Sequence, residues 1–287
     1  MIGGRVSPRG GSRAADLVLA AVLVVSALPA LPAMAGDLAD VQARGKLVML
    51  AYPVQENHFV SANLDAMRER DLKLGELRRP DEFAGIDVEL MNGFARSLGV
   101  ALEIHPISGG WGALIPALNR GEGDLVADEL TITEKRLESA DFSVPYVSNW
   151  VVVVVQKDSA ITSTVDLVRK TGAALKGSSQ VEFLQRMAPG VTILPSGFDL
   201  ESLGAVETGR VDFALMDSSL PPGATVDAEH PTLKVAFRLR EIGDGVAVRK
   251  GSDLLAPLNA YLARVKESGE LKKIFASNGF QAERKSS

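Results

Sequence analysis

The chain contains no cysteine, which excludes disulfides, thiolate metal sites, a cysteine nucleophile and the lipidated cysteine of a bacterial lipoprotein. Histidine is scarce: His58, His105 and His230 stand alone, without the close ligand pairs that zinc sites use. No metal, no cofactor and no Ser-His-Asp order is predicted from them. "GGWG" and "GEGD" are too sparse to be nucleotide-binding loops. Positive charge is short as well. The formal net charge is −5 with no basic stripe, so nucleic acid is not an expected partner. Beyond the N-terminal region no segment is apolar enough to cross a bilayer.

What the N-terminal region does hold is a leader. Arg5, Arg9 and Arg13 precede an almost uninterrupted apolar run from Leu17 to Leu28, and Ala33-Met34-Ala35 supplies a small-x-small cleavage pattern. Residues 1–35 are therefore expected to be a cleavable signal peptide. Cleavage removes three arginines and one aspartate and moves the net charge from −5 to −7. The expectation is a mildly acidic protein released into the periplasm.

From Lys46 onward, strand patterns alternate with helix patterns, which indicates an α/β architecture. "KLVML" reads as a first strand, and residues 54–81 as a polar surface excursion with a short helix. "GIDVELMNGFARSLG" carries a helical apolar face closed by Gly99. "VALEIHPI" and "DLVADELTI" read as strands, separated by a short helix in "WGALIPALNRGEGD". "TEKRLESA" opens a helix with Thr133 as its N-cap. "NWVVVVVQK" is a β-branched run suited to burial on both faces.

A second series follows Lys157. "GAALKGSSQVEFLQRM" reads as strand, turn and helix; "VTILPS" and "VDFALMD" are strands on either side of the helix "DLESLGAVETGR". "LKVAFRL" and "GDGVAVRKG" are read as two further strands, before two C-terminal helices and a polar tail at 281–287. Two α/β units result, the second inserted into the first. Thr131 and Asp217 both fall at carboxyl ends of strands, where open α/β sheets bind ligands.

"GIDVELMNGFARSLG", "WGALIPALNRGEGDLV", "LTITEKRLESADFSVPY", "KGSSQVEFL", "GRVDFALMD" and "GVAVRKGSDLLAPLN", in this order, resemble the polar amino-acid class of periplasmic solute-binding proteins. These are the family 3 receptors of ATP-binding-cassette importers, with the type II periplasmic binding fold. The resemblance spans about Lys46 to Phe280 and implies two lobes, each a mixed sheet flanked by helices, joined by two hinge strands. Lobe 1 would comprise 36–149 and 238–280, and lobe 2 would comprise 150–237. The resemblance implies a monomeric binding protein, not an enzyme, whose partners are a small amino-acid ligand and a membrane permease. Residue by residue, it puts a ligand α-carboxylate on Thr131 and on a bidentate Arg136. A guanidinium fork matches a carboxylate, and a helix N-terminus adds donors. Thr133 as a simple cap and Arg136 as a solvated helix residue remain the plain alternative.

In the second lobe the resemblance brings Ser178 and Ser179 to the same carboxylate and Asp217 to the α-ammonium. Trp111 matches a pocket aromatic or a core residue, and either Tyr52 or Phe59 fills the first-strand aromatic position. Three departures stand out: the long 54–81 segment, Glu129 where a small residue is usual, and Asp244 where a tyrosine is common. The added acids bias the expected ligand toward a cationic amino acid such as arginine or lysine, and Glu129 is placed where it could pair with Arg136. The runner-up is a cyclohexadienyl or arogenate dehydratase-like enzyme on the same fold, with Glu129 and Asp244 as an acid–base pair.

Overall fold

A computed structural model describes residues 38–53, 58–197, 199–218, 226 and 230–279. The leader, the tail at 281–287 and part of the 54–81 segment lie outside the described residues. In chain order the first elements are α1 (Leu38–Arg44), β1 (Lys46–Ala51), β2 (Ser61–Ala62), α2 (Leu64–Arg70), β3 (Phe83–Ala84), α3 (Ile86–Ser97) and β4 (Ala101–Pro106). Next come α4 (Leu114–Asn119), β5 (Leu125–Val126), α5 (Glu134–Ser139), β6 (Asp141–Phe142) and β7 (Val147–Gln156). The chain continues through β8 (Thr171–Leu175), α6 (Ser179–Met187), β9 (Thr192–Ser196), α7 (Asp199–Glu207) and β10 (Phe213–Asp217). It closes with β11 (Leu233–Asp244), β12 (Ala247–Val248), α8 (Leu255–Glu267) and α9 (Glu270–Ser277).

Two mixed five-stranded sheets organise these elements, in orders β4-β1-β5-β12-β6 and β11-β7-β10-β8-β9. In the first, β1 runs parallel to β4 and β5, and β12 returns antiparallel between β5 and β6. In the second, β8, β9 and β10 are parallel, whereas β7 runs antiparallel to β10 and β11. The β-branched run in β7 explains itself by alternation. Val151, Val153 and Val155 enter one apolar cluster with Phe183 and Phe213, and Val152 and Val154 enter the opposite one with Leu203 and Met216. A strand covered by helices on both faces needs no polar side. The first sheet is likewise covered on both faces, with Leu47 and Met49 in one cluster and Leu50 and Val126 in the other.

Two segments differ from the sequence pattern. "LKVAFRLREIGD" is one twelve-residue strand, not a strand followed by a break. Its register against β7 slips between Val235 and Phe237 and again between Arg238 and Arg240, and these bulges let Arg238 and Arg240 leave the apolar face. The strand expected across "DLVADELTI" pairs only at Leu125–Val126. Glu129 takes a left-handed backbone at φ 48°, which turns the chain out of the ladder before Thr131 meets Asp244 in an isolated bridge. The inferred lobe boundaries at 149/150 and 237/238 fall inside β7 and β11, the paired strands that join the two sheets.

Candidate functional site

Short-range chemistry sets the first half of the site. Thr133 caps α5, its Oγ1 accepting the Arg136 N–H at 3.2 Å. The cap starts the helix so that the Arg136 side chain turns back along the chain, and its Nη1 donates to the Thr131 carbonyl at 2.7 Å. One arm of the fork is thus fixed by backbone. Burial lowers the Arg136 pKa, while Asp244, Glu182 and Asp217 act in the opposite sense, Asp244 most strongly. The guanidinium remains charged in such company.

Asp244, fully buried at the end of β11, faces Thr131 across the bridge. Neither of its carboxyl oxygens makes a hydrogen bond of normal geometry, although Thr131 lies close enough to favour the charged form. Burial and the nearby Asp217 nevertheless push the Asp244 carboxyl well up.

The second lobe supplies the facing half. Ser178 stands at the N-cap of α6 and its hydroxyl reaches Gln180 Oε1 at 3.4 Å rather than capping the helix. Ser179 and Gln180 are buried behind it. Gln180 Nε2 donates to Asp217 Oδ1 at 3.0 Å, orienting the last residue of β10. Burial raises the Asp217 pKa to about 6, against the pull of Gln180 and Arg136. Arg136, on α5 of the first lobe, and Asp217, at the end of β10 in the second, therefore act on each other across the seam.

The lobes touch along that seam. A Cβ added at Gly177, before α6, would lie 3.1 Å from the Gly112 nitrogen, and Arg186 of α6 donates to Glu134 of α5 at 3.3 Å. A cavity of about 380 Å³ opens between the lobes, lined by Tyr52, Gly110 and Trp111 on one side and Lys176, Ser196 and Glu201 on the other.

Tyr52 and Trp111 meet edge to face, with centroids 5.2 Å apart and planes at 78°. Asp128 holds both. Its Oδ2 accepts the Tyr52 N–H at 2.9 Å, and its carbonyl accepts the Trp111 Nε1–H at 3.1 Å. Phe59, the other candidate at this position, is in the first-lobe core against Phe275, at 6.4 Å between centroids. Of the two aromatics only Tyr52 lines the cavity. Glu129 donates its N–H to Asp87 Oδ2 at 2.9 Å and accepts Asn149 Nδ2 at 3.5 Å. The acid acting most strongly on Arg136 is Asp244. His105 and His230 pair with Glu103 and Glu207, at 2.6 and 2.9 Å.

Sequence reasoning did not single out Gln180, Asp128, Asp87 or Glu182. Gln180 had a signal, since it follows the two serines in "KGSSQ". Asp128 in "VADEL" had none, because its partners come from Tyr52 just after β1 and from the 3-10 turn at Trp111.

Two lobes joined by a paired ribbon, with a cation and an acid facing each other across the seam, define a class of two-lobed receptors for small solutes. Residues 75–280 match the model of the bacterial extracellular solute-binding proteins, family 3, and the chain belongs to that family. It is 29% identical over 214 residues to the arginine-binding extracellular protein ArtP of Bacillus subtilis (strain 168), covering 71% of this chain and 81% of that one. Among solved structures it resembles a mutant of ArgBP from T. maritima, with a TM-score of 0.68, 27% identity and coverage of 84% and 97%. It also resembles the ancestral amino acid-binding protein AncCDT-1, a precursor of cyclohexadienyl dehydratase, with a TM-score of 0.67, 27% identity and coverage of 84% and 99%.

Proposed function

We propose that this protein captures an amino acid or similar small polar solute in the periplasm and delivers it to the permease of an ABC-type importer. The observation that carries the reading is the opposition of Arg136 and Asp217 across two lobes, which matches the two ends of a zwitterion. The free arm of the Arg136 fork and the Thr131 hydroxyl take the α-carboxylate, joined by amides at the start of α6 around Ser178 and Ser179. Asp217, held by Gln180, takes the α-ammonium. The ligand gains the second-lobe contacts only when the lobes meet, and this differential affinity drives closure. The amino-acid-binding relatives and the family support the receptor role, the leader pattern supports release by signal cleavage, and a monomer is part of the same proposal.

Titration calorimetry of Arg136→Ala against the twenty amino acids tests the clamp. The variant should lose about 2–5 kcal/mol of affinity for whichever amino acid the wild type binds. Wild-type affinity in the variant refutes the assignment.

The dehydratase-like reading has one observation in its favour: Asp244, beside Arg136, is a buried carboxyl whose pKa burial and Asp217 push upward, the direction a general acid needs. It predicts turnover of prephenate or arogenate that is lost in Asp244→Asn. The binding-protein reading predicts no turnover in either form.

A further inference from the structure

Asp244 is fully buried at the end of β11, one of the two strands that join the sheets, and neither of its carboxyl oxygens makes a hydrogen bond of normal geometry. Buried carboxyl oxygens in folded proteins are paired as a rule, so this side chain stands short of a partner. The backbone around it is fixed. Gly243 accepts the Ile132 N–H at 2.9 Å and Gly245 donates to the Leu130 carbonyl at 3.1 Å, which holds Asp244 opposite Thr131. A Cβ at Gly243 would stand 3.1 Å from Pro145 Cβ, and one at Gly245 would stand 3.0 Å from Ile132 Cδ1, so both flanks are packed close. Thr131 is also the residue whose carbonyl accepts Arg136 Nη1 at 2.7 Å. One bridge therefore tethers the guanidinium and the carboxyl to the same place.

We propose that Asp244 is the resting counter-ion of Arg136 and gates the clamp with its proton: the neutral carboxyl leaves the guanidinium to the ligand carboxylate, and the ionised one competes for it. This gate rests on the reading of the cleft as an amino-acid site and adds the regulation of that site. Arg136 commits one arm to Thr131, and Asp244 is the acid that acts on it most strongly. Arg136 is in turn the cation that acts on Asp244. A ligand carboxylate arriving on the same guanidinium brings a second negative charge into buried surroundings, where like charges repel far more than in water. Asp244 is a positioning residue in this scheme, acting on the ligand through Arg136.

The charged and titratable groups facing Asp244 are Arg136 on α5, Asp217 at the end of β10, Asp87 on α3 and Tyr146 before β7, with Glu129 acting on Tyr146. Burial and then Asp217 push the Asp244 carboxyl up, which makes it the later of the two to ionise, after Asp217 at about 6. The ligand ammonium favours charged Asp217, whereas the ligand carboxylate favours neutral Asp244. Affinity therefore rises as pH climbs through the Asp217 range and falls again as Asp244 loses its proton. On that alkaline side, binding takes a proton up.

Calorimetry with the twenty standard amino acids at about pH 7 selects the tightest binder, which is then titrated from about pH 5 to about pH 9 in two buffers of different ionisation enthalpy, with the free ligand's own titration subtracted. The wild type should lose at least about fivefold in affinity from about pH 7 to about pH 9 and take up protons on binding there. Asp244→Asn, neutral at every pH, should keep the weakening below about pH 6 and bind at least about fivefold more tightly than the wild type at about pH 9. Parallel profiles for the two proteins, as a role confined to packing predicts, overturn the gate. So does a wild type whose alkaline side is flat with no proton uptake, an arm that does not depend on the variant folding. Either result leaves the clamp standing, whereas binding of none of the twenty sinks both.

Discussion

Arg136 has one arm on the Thr131 carbonyl, and its charge is favoured by acids from both lobes, Asp244 first and then Glu182 and Asp217. Lysine at this position would keep a charge and lose the planar pair of donors. Arg136→Lys should therefore bind ligand about ten- to a hundredfold more weakly in calorimetry. Asp199, at the start of α7, offers a different check. Burial and Asp217 raise its carboxyl to about 7, and its Oδ1 has no partner. At pH 8 folding must keep this group charged where charge is disfavoured, whereas at pH 5 it is neutral. Asp199→Asn should raise the melting temperature by about 3 °C or more at pH 8 and by clearly less at pH 5. The positions of Thr131, Arg136 and Asp217 were legible because each lies at a fixed offset from a cap or a strand end; their roles toward a ligand belong to the proposal. Asp128 and Asp199 were not. Their roles depend on partners remote in sequence, such as Tyr52 for Asp128 and Asp217 for Asp199.

Elements were easier to read where the apolar period is unbroken. The valine run of β7 and the helix at Ile86–Ser97 follow directly from period and stop signal. β11 resisted because "RLREIGD" inserts charges into a strand, and only the two bulges show how those charges escape the core. It is an edge strand, and bulges with arginines are a means of preventing edge-to-edge pairing. The seam between the 3-10 turn and the turn before α6 is another element-scale feature. A Cβ at Gly112 would meet the Gly177 Cα at 3.7 Å, which is tolerable for alanine and crowded for anything longer. Gly112→Leu should wedge the lobes apart. Small-angle scattering would then show no contraction on adding ligand, and affinity should fall by about tenfold or more.

For the whole molecule, buried acids govern the response to pH. Asp87 and Asp217 are raised to about 6 and Asp199 to about 7, all from 3.8. The folded form consequently holds more protons than the unfolded chain between about pH 4 and 7, and stability falls as pH climbs through that window. The melting temperature should be at least about 5 °C lower at pH 8 than at pH 5, as calorimetric scanning would record. The Arg186–Glu134 bridge across the lobes contributes little to this balance, because both side chains are solvated, at 47% and 82% exposure.

The chain passes between the two sheets along β7 and β11, which stay paired from Leu233–Gln156 to Asp244–Val147. Neither apolar core needs to be breached for the lobes to part. Swinging open costs the seam alone, so the heat capacity change on ligand uptake should be a small fraction of that on melting. A receptor built this way can cycle repeatedly between loading and release without risking its own fold.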